Sequence, residues 1–100
     1  MRMRISYELR GVSFECDSEK AGANIQKHGA SFPTASEAFF DRFVPIIDAS
    51  APAEPREGAI GYAEGEQLLY VVHVTRHEEV IRLISAREAI REERRQYENP

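Results

Sequence analysis

The sequence predicts an α+β fold: two helices near the N-terminus packed on one face of an antiparallel β-sheet, with a third helix closing the chain. Three observations lead there. Asp17 and Gly29 bracket one helix, and Phe32-Pro33 opens another directly after it. From Glu57 the apolar period changes to two, and three apolar runs follow with short connections between them. At Ser85 the last of these runs changes into a charged segment with helical spacing.

The elements follow in order. Residues 1–10 are a basic lead with weak alternation, a short strand at Ile5–Leu9 that Gly11 breaks. Val12–Cys16 reads as a strand ending at Asp17. Asp17 is a good N-cap, and Glu19 sits in the positively polarised first turn. The helix from Ser18 to His28 is expected to bury Ala21, Ile25 and His28, with Gly29 as its left-handed stop. A second helix follows with Ala35, Ala38 and Phe39 inward, so the two form an αα-hairpin. Val44–Asp48 is a short strand, and Pro45 suits it to a sheet edge. Ala49–Pro55 is a small-residue, proline-containing loop expected to move freely. Strands at Glu57–Tyr62, Leu68–Thr75 and from Val80 form an antiparallel meander, turning at Glu64-Gly65-Glu66 and at Arg76–Glu79.

The Val80 strand is expected to run straight into a helix at Ser85. Ser85 and Glu88 have the spacing of a capping box. Arg82 and Arg87 beside free helix amides would then form an anion site. Ala86, Ala89, Ile90 and Tyr97 would make the packed face of that helix. Glu93 falls on the same stripe where an apolar residue is expected, and Arg87, Arg91, Arg94 and Arg95 form a cationic band, with Glu88–Arg91 and Glu92–Arg95 pairs on the solvated side.

One hundred residues make a single domain spanning 1–100. No apolar run approaches the roughly 20 residues that span a bilayer, and no signal peptide is read at the start, so the cytoplasm is the expected compartment. The single cysteine, Cys16, excludes an intramolecular disulfide and a cysteine zinc cluster. His28, His73 and His77 lack metal-ligand spacing, so neither a metal nor any other cofactor is expected. The net charge is −4, yet residues 76–100 hold six arginines against six acids. The acidic excess therefore lies in residues 1–75, while arginine is concentrated at the end. Such a chain can bind RNA locally, without help from its global field.

The residues able to do chemistry are Lys20, Lys27, His28, Arg56, His73, Arg82, Arg87, Glu93 and Tyr97. No phosphate-binding glycine loop and no G-x-S-x-G elbow accompanies them. Cations with acid and base groups are what RNA cleavage without metal requires. A base takes the 2′-OH proton, cations hold the phosphorane charge, and an acid protonates the leaving 5′-oxygen.

The segments Phe14-Glu15-Cys16-Asp17, Lys20, Asn24, Lys27-His28-Gly29 and Phe32, then Arg56, then Ile81–Arg87 with Glu93 and Tyr97, together resemble the BrnT toxins of type II toxin–antitoxin systems. The resemblance covers residues 12 to 98, leaving 1–11 as an N-terminal extension. It departs from the family pattern at Cys16, where Trp is usual, at Ala30, where Val is common, and at Glu88, where Lys is common. It implies a RelE-like α+β fold, a ribonuclease that arrests translation, and an antitoxin of the BrnA type, a ribbon-helix-helix protein. DNA would be met only through the antitoxin complex, which represses the operon; no membrane contact is implied, and the toxin alone would self-associate weakly or not at all.

The site implied comprises His28, Arg56, Arg82, Arg87 and Glu93 as catalytic groups, with Lys20, Lys27, Ser85, Arg91 and Tyr97 contacting substrate. Arg56, Arg82, Arg87, Lys27 and His28 would converge on one cleft. Each residue also has a plainer role. His28 can cap its helix, Arg56 can be surface, and Tyr97 can pack. Glu93 can bridge to Arg87 or Arg82, or act as a base. His73 reads as a satisfied, partly buried histidine, and Cys16 as a small buried hydrophobe. The alternative function is a non-catalytic interaction module acting with a DNA-binding partner.

Overall fold

The structure, a computed structural model, describes residues 2–50, 54–76 and 79–99. Strands β1 (Arg4–Leu9) and β2 (Val12–Asp17) are followed by helices α1 (Ser18–His28) and α2 (Phe32–Ser36) and a 3-10 turn, Glu37–Phe40. Strands β3 (Ile46–Asp48), β4 (Glu57–Ala63), β5 (Gln67–Arg76) and β6 (Val80–Glu88) come next, and α3 (Arg91–Glu98) ends the chain. The six strands form one sheet in the order β1-β2-β6-β5-β4-β3. Residues 51–53 of the loop and 77–78 of the last turn, His77 among them, lie outside the described residues.

The N-terminal lead belongs to the sheet. Arg10 and Gly11 take positive φ (50° and 82°) and close a two-residue hairpin that pairs Leu9 with Val12 and Arg4 with Asp17. Asp17 caps α1 by accepting from the amide of Glu19 at 3.3 Å, and Gly29 ends it at φ 72°. Ser31 caps α2, accepting from the Thr34 amide, with Pro33 in the first turn. The second helix is five residues long before it tightens into the 3-10 turn, so the expected hairpin of two helices is one full helix and a short one.

Three expectations are corrected. The sheet is mixed, because β2 pairs in parallel with β6 (Phe14 with Ile81, Glu15 with Arg82). Parallel neighbours need a long crossover, and here everything from α1 to β5 supplies it. The packed face of α1 is rotated: Ile25 is half exposed and His28 exposed, whereas Asn24 is buried. Finally, Ser85 starts no helix, since β6 continues to Glu88.

Asn24 explains the rotation. Beyond Arg82, β2 has diverged and β6 has an open edge. The Asn24 side chain fills it, donating to the Ala86 carbonyl (2.8 Å) and accepting from the Ala86 amide (3.0 Å), as a neighbouring strand would. It also donates to the Ala30 carbonyl at 2.9 Å. A buried strand edge left unpaired would be costly, so the polar residue wins the inward position.

Phe14, Leu69, Val71, Leu83 and Ala86 form one buried cluster with Phe32, Ala35 and Ala38 from the helical segment. Fully burying a Phe or Leu side chain contributes about 1.5–3 kcal/mol. Small residues let the helical segment approach closely; a Cβ at Gly61 would collide with the Ala38 carbonyl. Ile60 and Leu68 are buried outside this cluster, on the opposite face, where α3 lies with Tyr97 edge-on to Tyr62. β3 forms the sheet edge, pairing only with β4 among the described residues. The loop after it is tied at its described ends, Ala49 donating to the Arg56 carbonyl at 2.9 Å. Among the described residues no helix is long and apolar enough to cross a membrane.

Candidate functional site

The site begins with an irregularity in β6. Val72 pairs with Ser85, but His73 pairs with Leu83, so Ile84 is an extra residue in a β-bulge. In a regular strand, Arg82 and Arg87 would point to opposite faces, being five residues apart. The bulge shifts the alternation by one. Arg82, Ser85 and Arg87 therefore share the face of their partners Val74, Val72 and Tyr70, while Leu83 and Ala86 both enter the core.

Arg87 is held from three sides. Its Nη1 and Nη2 donate to Glu93 Oε1 and Oε2 at 2.8 and 2.7 Å, and Nη1 also donates to the Glu88 carbonyl. Its guanidinium lies 4.7 Å from the centre of the Tyr70 ring. Glu93 stands in the first turn of α3, where the dipole favours a carboxylate, and also accepts from the Ile90 amide at 3.0 Å. The hydrogen bond to Glu93 pushes the Arg87 pKa up against an opposing desolvation effect, so the group stays cationic. About a third of the side chain (31%) remains exposed. The Tyr70 ring lies across Gly58, where a Cβ would meet it at 2.5 Å. Burial, then the Glu93 charge, raises the Tyr70 phenol and keeps it protonated.

Helix α3 is anchored at its far end. Tyr97 donates to Asp41 Oδ2 at 2.7 Å, and burial together with that carboxylate pushes the phenol up to about 12. Asp41 is pulled down, because bonds from Phe43, Tyr62 and Tyr97 outweigh the effect of its desolvation. Tyr97 thus packs and fixes the helix that presents Glu93.

At the other end of the face, buried Glu15 gathers arginines. Its Oε2 accepts from Arg76 Nη1 (2.8 Å) and Arg82 Nε (3.0 Å), with Arg4 3.9 Å from Oε1. One carboxylate under three guanidinium groups leaves a local positive excess. Glu15, Arg4, Arg76 and Tyr70 were not among the candidates read from the sequence. For Glu15 and Tyr70 the signal was the alternation of Val12–Cys16 and Leu68–Thr75, which sets them opposite the core residues; Arg4 and Arg76 lie outside those runs.

The other candidates are more dispersed. Lys20 lines a cavity with Arg82. Arg56 lies 3.7 Å from Glu54 and lines a second cavity with His73; its buried Nε has no hydrogen-bond partner among the described residues. Lys27 and His28 occupy the last turn of α1 and are exposed. None of these four makes a hydrogen bond or ion pair with Arg82 or Arg87. Arg91 opens α3 and is exposed. Ser85 lies mid-strand, so the expected anion site of helix amides beside it is absent, and Glu88, a strand residue, forms no pair with Arg91 among the described residues.

His73 is buried (2% exposed), with Nδ1 3.2 Å from the Val71 carbonyl, Phe39 edge-on, and Glu57 3.6 Å from Nε2. Burial lowers its pKa, as befits a satisfied histidine. Cys16 is buried and its thiol is raised, chiefly by burial. Among the described residues, no three His, Cys, Asp or Glu side chains come close enough to hold a metal ion.

Comparison with curated proteins finds no match. The family model of the BrnT ribonuclease toxin of type II toxin–antitoxin systems matches residues 16–93, which span α1, the meander with its bulge, and the Arg87–Glu93 pair. The chain therefore belongs to the BrnT family of ribonuclease toxins.

Proposed function

We propose that this toxin cleaves RNA without a metal ion on the face of β6 that carries Arg82, Ser85 and Arg87, and so arrests translation. The bulge that aligns these three residues is the observation that carries the reading. In the reaction, the 2′-oxygen bonds to the adjacent phosphorus and the bond to the 5′-oxygen breaks, giving a 2′,3′-cyclic phosphate and a 5′-hydroxyl. Arg87 and Arg82 neutralise the charge of the phosphorane. Glu93, bound by both oxygens to Arg87, positions that guanidinium. His28 carries a proton, and Lys20, Lys27, Arg56, Ser85 and Arg91 contact the strand as it passes from this face toward α1.

The partner is an antitoxin of the BrnA type, a ribbon-helix-helix protein that covers the cationic face and carries the DNA contact. Two toxin copies are bridged by a dimeric antitoxin in the cytoplasm, while the toxin alone is a monomer or weak dimer. The exposed β3 edge with Ile46, and Phe43 beside it, offers a pairing surface for such a partner.

Removing one group that stabilises transition-state charge costs about 3–4 kcal/mol, or roughly 10²–10³ in rate. Arg87→Ala, with its fold confirmed by circular dichroism, should therefore abolish growth arrest and EDTA-resistant RNA cleavage, whereas Arg95→Ala should retain both. Equal activity of the two variants refutes the site. Cleavage that EDTA abolishes refutes the metal-free reaction, and a tight homodimer in light scattering, with no gain in mass on adding the antitoxin, refutes the assembly.

A further inference from the structure

β2 and β6 run in parallel only as far as Glu15 and Arg82, and then part. At the fork lies a cavity of about 330 Å³, within the size range of small-molecule sites. It opens at the C-terminal end of β2, the kind of crevice that ligands favour where neighbouring strands separate. Arg4, Lys20 and Arg82 stand on its walls and Met3 and Ile84 supply an apolar side. Asp17 and Glu54 also line it, but Arg2 lies 3.0 Å from Asp17 and offsets its charge. Arg82 meets Glu15 through Nε rather than through its terminal nitrogens, and Lys20 has no carboxylate within ion-pair distance among the described residues. A chain of net charge −4 thus concentrates cations around a pocket with one apolar wall.

We infer that this cavity binds one nucleotide of the RNA strand next to the cleaved bond, its phosphate held by Arg4, Lys20 and Arg82 and its base laid against Met3 and Ile84. The inference rests on the RNA-cleaving role of the β6 face and extends it. Arg4 comes from β1, outside the stretch matched by the family model, so this subsite is partly built by the N-terminal hairpin.

The test uses the full chain with methyl-labelled Met and Ile. Titration with nucleoside 5′-monophosphates should shift the Met3 and Ile84 methyl signals, and inorganic phosphate alone should shift them much less. Arg4→Gln and Lys20→Gln should each weaken binding of a non-cleavable 2′-deoxy oligonucleotide about five- to tenfold and flatten its log Kd against log salt dependence by about 0.7. In cleavage assays they should raise KM with little change in kcat. Unmoved methyl signals, or wild-type KM and salt slope in both variants, would overturn the subsite while leaving the ribonuclease reading intact. An equal response to inorganic phosphate would overturn the assignment to a nucleotide. Wild-type protein that binds the monophosphates yet cleaves no RNA would instead overturn the reaction proposed above.

Discussion

Replacing Asn24 with Leu tests the joint between α1 and β6. The substitution removes three hydrogen bonds and leaves the Ala86 amide, the Ala86 carbonyl and the Ala30 carbonyl without that partner. A buried polar group without a partner costs about 1–3 kcal/mol, and some water entry will soften the sum. The expected loss is about 2–4 kcal/mol, out of the roughly 5–15 kcal/mol that stabilises a domain. For 100 residues this lowers Tm by about 10–25 °C. Asn24→Asp should suffer comparably, since it keeps an acceptor for the Ala86 amide but sets a carboxylate against two carbonyls. Urea titration gives the stability, and hydrogen exchange reads the Ala86 amide directly: slow in the native protein, faster in the Leu variant. A Leu variant within about 0.5 kcal/mol of wild type, or rapid exchange at Ala86 in the unmodified chain, would show that the side chain does not close the strand edge.

Tyr97→Phe should cost about 1–2 kcal/mol, the worth of a hydrogen bond to a charged acceptor. Because its folded pKa is raised to about 12, this contribution is fully present below about pH 10 and lost as pH approaches 12. Absorbance titration should show one of the four tyrosines ionising near pH 12, and that phase should vanish in the variant. His73 acts with the opposite sense. Its folded pKa is depressed by burial, so stability should fall as pH drops through about 6.5, where the unfolded chain takes up a proton that the native state refuses. His73→Gln should flatten the pH dependence of the urea midpoint between about pH 7.5 and 5.5; an unchanged slope would refute this.

Most of the fold was legible in the sequence because its signals were local. The caps at Asp17 and Gly29, the period-two runs from Glu57 and the edge-suited Pro45 each act within a few residues. The failures have physical causes of the same kind. A bulge at Ile84 puts Leu83 and Ala86 on one side of a strand, and a spacing of three mimics a helix. Ser85 with Glu88 then looked like a cap, although the carboxylate that reaches back to a helix start is that of Glu93, to the Ile90 amide. Asn24 lies three residues from Ala21 on the expected stripe but is polar, so no apolar signal marks it as inward, yet the divergence of β2 from β6 demands a polar group there. The parallel pairing of β2 with β6 had no local sign at all. In the site, the Arg87–Glu93 bridge was visible as an acid on an apolar stripe, whereas Glu15 and its arginines come together only through that long-range pairing.

The position of β6 in the sheet also sets when its arginine face is assembled. It is flanked by β2 and β5 near the middle of the sheet, yet it is the last of the six described strands in chain order. Its bonds to Glu15 and Asn24 close loops of 67 and 62 residues, and such distant closures fold late and slowly. A nascent chain that has made only α1 and the first five strands lacks Arg82, Arg87 and the strand that joins the two halves of its sheet. The arginine-bearing face and the closed sheet therefore arrive together, once β6 has been made. Premature termination before Val80 yields a fragment without the strand that joins the two halves of the sheet, and without the two arginines of the site proposed above.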